Sequence, residues 1–237
     1  MPPKTPTPAQ AFRGFSPPTF EFLDDLAANN EREWFNANKA RYEQDVRDVA
    51  LAFVRAMGPA ISALSKHFVI DDRKVGGSLM RVYRDTRFAR DKTPYKTNIG
   101  IQFRHEAGKD VHAPGFYVHI DPQECFVAAG LWRPPADALA QIRQRIVEKT
   151  SAWRRVTNQP DFARHFELRG ESLRRAPRGF PADHPCVDDL RRKDHIAVAT
   201  VTAGALSSRK AVDTVGQRFG EAKAYMKFLT TALDLPF

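Results

Sequence analysis

Three short segments in the middle of the chain restrict its fold more than any other feature. Residues 98–104 alternate Ile99, Ile101 and Phe103 with Gly100, Gln102 and Arg104. Residues 116–121 set Phe116, Val118 and Ile120 on one side and Tyr117, His119 and Asp121 on the other. Residues 126–132 follow the turn sequence Asp121-Pro122-Gln123-Glu124. A period of two predicts half-buried strands, because successive side chains point to opposite sides of a pleated chain. Such short connections favour antiparallel neighbours, since a parallel return needs a long crossover. Residues 79–84, after Gly76-Gly77, and residues 196–202 read as further strands. The expectation is a central antiparallel sheet of about five to six strands.

Helical patterns flank these strands in sequence. Ser16-Pro17-Pro18 starts the first helix, since proline is tolerated where the first turn has no use for its N–H. Phe20, Leu23 and Leu26 form its apolar stripe up to the Asn29-Asn30 break. Asn30 and Glu33 have the spacing of a capping box and predict the start of a longer helix. Its stripe is Phe35, Tyr42, Val46, Val49, Phe53 and Met57, with Gly58-Pro59 as an interruption and Ile61, Leu64 and Phe68 as a short continuation. Pro134-Pro135 opens another helix, carrying Leu139, Ile142, Ile146 and Trp153. Residues 158–186, rich in Pro and Gly, read as irregular chain wrapped over a core face. Ser207 or Ser208 caps a final helix whose stripe is Val212, Val215, Phe219, Ala222, Met226, Leu229 and Leu233. Its steps of three and four never miss. Helices, a meander and helices again predict one α+β domain over residues 12–237. A disordered Pro-rich tail, residues 1–11, is expected before it.

Composition narrows the classes. Of 237 residues 42% are hydrophobic and 25 are aromatic (17 Phe, 5 Tyr, 3 Trp), ample for a core and incompatible with wholesale disorder. No apolar run is long enough to span a bilayer, and the tail lacks the apolar stretch of a signal peptide. Cys125 and Cys186 have no C-x-x-C spacing, so neither a disulfide scaffold nor a cysteine zinc site is indicated. Cytoplasmic localisation and no membrane partner are expected. Phosphate-loop, dinucleotide-fold, serine-elbow and zinc-protease signatures are absent, and no cofactor is implied. The excess of Lys and Arg over Asp and Glu gives +9, and 25 of the 37 basic residues are Arg. Base composition of a genome alone can produce such a surplus, so its distribution is more informative than its size.

That distribution is uneven. Residues 81–96 hold six basic and two acidic residues in sixteen positions, which is +4 of the +9. The segment lies between two strand patterns and reads as a hairpin loop with its shoulders. Two roles compete for it. Asp85 and Asp91 would accept from turn N–H groups and neighbouring guanidinium groups while Phe88 and Tyr95 pin the loop to the core. Alternatively Arg81, Arg84, Arg87, Lys92 and Lys96, with Tyr95, converge on an anion, and the aspartates orient the arginines. The pattern Arg81-x-x-Arg84-Asp85-x-Arg87-Phe88 followed by Asp91-Lys92-Thr93-Pro94-Tyr95-Lys96 resembles a widespread bacterial family of conserved hypothetical proteins, described as a domain of unknown function. The resemblance includes Asn29-Asn30 with Trp34-Phe35, Gly115-Phe116-Tyr117-x-His119, Gly130-Leu131-Trp132-x-Pro134 and Pro177-x-Gly179-Phe180-Pro181. It implies that the loop is the centre of the family's shared chemistry and supplies no activity.

Candidate chemistry gathers at His119. If residues 81–85 and 117–121 share a sheet face, then Arg81, Tyr83, Asp85, Tyr117, His119 and Asp121 line one polar basin, rimmed by Arg87, Arg90, Lys92 and Lys96. Such a basin suits a small anionic, phosphate-bearing ligand, bound by Arg81, Arg84, Arg87, Asp91, Lys92, Tyr95, Lys96 and Tyr117. His119 and Asp85 are its candidate acid–base pair. His119-Ile120-Asp121 also has the H-x-D spacing of a two-histidine-one-carboxylate iron site, with His195 as the distal ligand of an oxygenase. A nucleic-acid partner is the other class. Basic residues recur at 143–155, 169–178 and 191–193, with Trp153, Phe162, Phe166 and Phe180 near them as candidate stacking groups. A non-catalytic interaction domain completes the alternatives.

Overall fold

A computed structural model describes residues 12–87, 89–108 and 112–237. The tail at 1–11 and the Phe88 anchor therefore lie outside the described residues. From the N-terminus, α1 (Pro17–Ala28), α2 (Arg32–Ala37) and α3 (Lys39–Arg41) lead through a π-helical turn (Tyr42–Arg47) into α4 (Asp48–Leu64). The strands β1 (Ile99–Arg104), β2 (Gly115–Ile120) and β3 (Phe126–Leu131) follow. Next come α5 (Ala136–Glu148), α6 (Thr150–Thr157), α7 (Pro160–His165), β4 (Glu167–Arg169), α8 (Val187–Arg191) and β5 (His195–Thr200). The last helices are α9 (Ala203–Leu206), α10 (Ala211–Glu221) and α11 (Lys223–Ala232).

The five strands form one antiparallel sheet in the order β1-β2-β3-β5-β4, an α+β architecture. Register places Ile101 opposite Val118, and Val118 opposite Val127. Both pairs belong to a face that the helices bury: Phe219 of α10 contacts Phe103 and Phe116, at 6.4 and 4.8 Å between ring centroids. Trp153 of α6 meets His195 on the same side. Tyr117, His119 and Phe126, only partly buried, stand on the other face. Gly130 sits in β3 at φ +134°, where a Cβ would come 1.9 Å from the His195 carbonyl oxygen. Only glycine permits that approach, which is the physical content of the Gly130-Leu131-Trp132 segment.

Several elements differ from the expectation. In α1, Phe22 rather than Phe20 joins Leu23 and Leu26 in the core, and Thr19 is buried beside them. Thr19 Oγ1 donates to the Asp45 carbonyl of the π-helical turn (2.6 Å). Helix α4 runs straight through Pro59. An internal proline costs about 3 kcal/mol, and fully buried Met57 and Ile61 on either side offset it at about 1.5–3 kcal/mol each. The stretch 158–186 contains α7 and the three-residue β4, which is too short to show a period. The last helix is two, parted at Ala222. Met226 N still donates to Ala222 O (3.0 Å), so the stripe keeps its phase across the break. Cys125 and Cys186 are buried free thiols, each pushed up in pKa by burial. Among the described residues no helix is long and apolar enough to cross a membrane.

Candidate functional site: a cationic cleft beside the hairpin

Residues 79–84 do not form one strand because their partner changes midway. Leu79 bridges Ile101 of β1, with Met80 N donating to Gly100 O (2.9 Å) and Gln102 N to Ser78 O (2.8 Å). Two residues later the chain leaves β1 and pairs with its own return, Tyr83 bridging Tyr95. Arg84 N donates to Pro94 O (2.9 Å) and Lys96 N to Val82 O (2.8 Å). The basic segment is thus a hairpin grown from the edge of the sheet.

The helical layer holds this hairpin. Asn30 does not cap α2, whose N-cap position is Glu31. Its amide instead clasps the Tyr95 backbone. Asn30 Nδ2 donates to Tyr95 O, and Tyr95 N donates to Asn30 Oδ1, both at 3.0 Å. Phe35 of α2 stacks on Tyr95 with centroids 4.1 Å apart and planes at 19°. Tyr83 lies against both rings, 5.3 Å from Tyr95 and 6.3 Å from Phe35. Two segments of the motif far apart in sequence therefore meet in space.

Within the loop the aspartates organise the cations. Asp85 accepts from Arg87 Nε (3.0 Å), Arg87 Nη2 (2.7 Å) and Arg87 N (3.3 Å). Those bonds, the side-chain ones first, bring its pKa down to about 2. Asp91 accepts from Thr93 N (2.9 Å), from Arg84 Nη1 and from Thr93 Oγ1 (3.0 Å). The Thr93 amide, followed by Arg84, holds Asp91 at about 2 as well. Arg84 Nη1 also donates to Thr93 Oγ1, and Lys92 Nζ to Thr86 O (2.9 Å). Both aspartates are ionised at neutral pH, so Asp85 is not poised for acid–base work there. Arg81 is exposed. Lys96 is partly buried, and burial, followed by the charge of Arg81, lowers its pKa.

Between α2 and the hairpin lies a cleft of about 270 Å³ lined by Arg32, Asn36, Tyr83, Arg84, Thr86, Pro94 and Tyr95. Among the described lining residues the charged side chains are two arginines, one from each wall. Arg84 uses only Nη1 in the loop network, leaving Nε and Nη2 unbonded among the described residues. The side chains of Arg32, Asn36 and Thr86 make no hydrogen bond or ion pair among the described residues. A held guanidinium, a second cation, an amide and a hydroxyl thus border one small space. Two larger hollows differ. One of about 460 Å³ mixes Arg145 with Glu148 and Asp234. The other, about 610 Å³, has Arg154 and Arg155, but as neighbours on one helix, with no second wall supplying charge.

Of the residues singled out in the sequence, Arg84, Tyr83 and Tyr95 line the cleft. Asp85, Arg87, Asp91 and Lys92 form the network behind it. Tyr117 and His119 do not join them, because Tyr83 and Tyr95 turn to the helices while Tyr117 and His119 stand on the opposite sheet face. The single basin is therefore two places. At the second, Asn98 Nδ2 donates to His119 Nδ1 (3.3 Å), the Tyr117 hydroxyl lies 3.2 Å from the same nitrogen, and Phe126 stacks on the ring at 4.5 Å. Burial lowers the His119 pKa and pushes Tyr117 up to about 12.

The iron triad is not assembled. His195 projects into the helix-covered core, fully buried and pushed down to about 3 by burial, whereas His119 is on the other face. Among the described residues no three His, Cys, Asp or Glu side chains are grouped to hold a metal ion. The aromatic residues near the basic patches are core residues: Trp153, Phe162 and Phe166 are buried, and Phe180 packs on the same cluster. Arg191, Arg192 and Lys193 pair with Asp188, Asp189 and Glu171. Arg32 and Asn36 escaped sequence reasoning. The one available signal was the place of Asn30 and Phe35, their neighbours, within the same resemblance as the loop.

Fold and cleft together define an α+β protein whose edge hairpin and N-terminal helical corner enclose a cationic cleft. The chain belongs to the conserved hypothetical protein family DUF2461, whose model matches residues 18–228. No curated protein and no solved structure matches it.

Proposed function

We propose that the protein recognises a small anionic, phosphate-bearing ligand in the cleft between α2 and the hairpin. The observation that carries this reading is the pair Arg32 and Arg84, set on opposite walls with no carboxylate among the described lining residues. A guanidinium presents several N–H donors in a planar fork that matches phosphate oxygens two at a time. Asp91 and Thr93 position the Arg84 fork, so little side-chain entropy is lost when an anion arrives. Asn36 and Thr86 supply further polar contacts, and Tyr95 closes the floor. Arg81, Arg87, Lys92 and Lys96 add to the positive field of the hairpin. The described lining has no histidine, cysteine or carboxylate, so the reading is recognition without acid–base catalysis by the cleft itself.

Calorimetric titration with inorganic phosphate tests it. Saturable binding in the millimolar range or tighter is expected, weakening with added salt. Arg32→Gln, which breaks no hydrogen bond or ion pair among the described residues, should weaken it about tenfold or more. A wild-type protein with no saturable phosphate binding at low salt refutes the reading.

A further inference from the structure

The cleft contains a group that a bare anion would not use. Tyr83 is 51% exposed, one of three large apolar side chains so exposed among the described residues. Its ring is not free to swing, because Tyr95 and Phe35 pack against it. What remains uncovered lines the same cleft as Arg32 and Arg84. A fixed aromatic surface beside paired cations has two complementary demands: a flat ring to stack on and a phosphate to neutralise.

We infer that the cleft takes a mononucleotide, its base stacked on Tyr83 and its phosphate held between Arg32 and Arg84. The inference rests on the anion-binding reading above and adds the class of ligand. Two observations favour it over simpler anions, and a third limits the size from above. A sugar phosphate would occupy the arginines and leave Tyr83 exposed to water. The side chains of Asn36 and Thr86, without a hydrogen bond among the described residues, offer an amide and a hydroxyl that suit a ribose or a base edge. At about 270 Å³ the cleft lies just below the usual range of ligand pockets, room for one nucleotide at most and not for a dinucleotide cofactor. Stacking on a tyrosine is tolerant of the base, so little discrimination among bases is expected.

The test compares adenosine monophosphate, ribose 5-phosphate and inorganic phosphate by calorimetry at low salt. Adenosine monophosphate should bind about tenfold or more tightly than ribose 5-phosphate. Tyr83→Leu, which keeps an apolar contact with Phe35, should remove that advantage and bring the two ligands to equal affinity, while Tyr83→Phe preserves it. Equal binding of the two phosphates by the wild type overturns the base site and leaves the anion site standing. Binding of none of the three overturns both. A short single-stranded oligonucleotide binding far more tightly than the mononucleotide overturns the inference in favour of a nucleic-acid strand.

Discussion

Replacing Asn30 by alanine removes two hydrogen bonds and nothing else of comparable worth. Both go to the backbone of Tyr95, one donated and one accepted, each at 3.0 Å. Tyr95 is only 3% exposed, so its N–H and C=O are left with poor access to water. A net hydrogen bond is worth about 1 kcal/mol, and a stranded buried partner costs about 1–3 kcal/mol. The expected loss is therefore about 3 kcal/mol. For a chain of this length that is about 9 °C in Tm, at about 3 °C per kcal/mol. Urea unfolding of wild type and variant measures the loss directly, and Asn29→Ala is the control. Among the described residues Asn29 Nδ2 bonds only Asp25 O in its own exposed helix end (2.9 Å), so its loss should stay below about 1 kcal/mol. Asn30→Asp discriminates further, because it keeps the acceptor for Tyr95 N–H and sets a carboxylate against Tyr95 O. It should recover none of the donated bond. Phosphate affinity should fall with Asn30→Ala, since Arg32 and Arg84 are brought to one cleft across this joint. An Asn30→Ala loss no greater than that of Asn29→Ala would refute the claim that this amide docks the hairpin.

Two further outcomes follow from charge and burial. Asp85 and Asp91 lie at about 2, below the ordinary 3.8, so the order they lend the loop is complete above pH 3.8 and lost as pH falls through 2. Carboxyl carbon NMR titration should show both midpoints low in the wild type and Asp91 returned toward 3.8 in Arg84→Gln. His195 is held neutral in the core at about 3 against 6.5 in an unfolded chain. A depressed imidazole contributes stability that is intact above pH 6.5 and is drawn down as pH falls toward 3, about 5 kcal/mol across the interval. His195→Leu should flatten the pH dependence of urea unfolding between pH 7 and pH 4, and an unchanged slope would contradict the assignment.

The strands and helices were legible to different degrees for physical reasons. Alternation at Ile99–Phe103 and Phe116–Ile120 is a direct record of one-sided burial, and the structure has β1 and β2 there. Residues 79–84 read as a strand as well, yet pairing decides whether an extended segment is one, and their partner switches from β1 to residues 94–96. Pro59 reads as a break because its local cost is visible and the compensating burial of Met57 and Ile61 is not. Asn30 has capping geometry by spacing alone, but its amide was claimed by a backbone 65 residues away.

The class of fold, the antiparallel meander and the concentration of charge in residues 81–96 are legible along the chain. These depend on periodicity and composition, which are local properties. Tertiary structure alone decided how that charge is used. It spent Asp85, Asp91, Arg87 and Lys92 on holding the loop, left part of Arg84 free, and brought Arg32 and Asn36 across from α2 to face it. It also parted His119 from the hairpin, since the two lie on opposite sides of a sheet. Which cations converge depends on distances through space between segments remote in the chain, and no pattern along the chain encodes them.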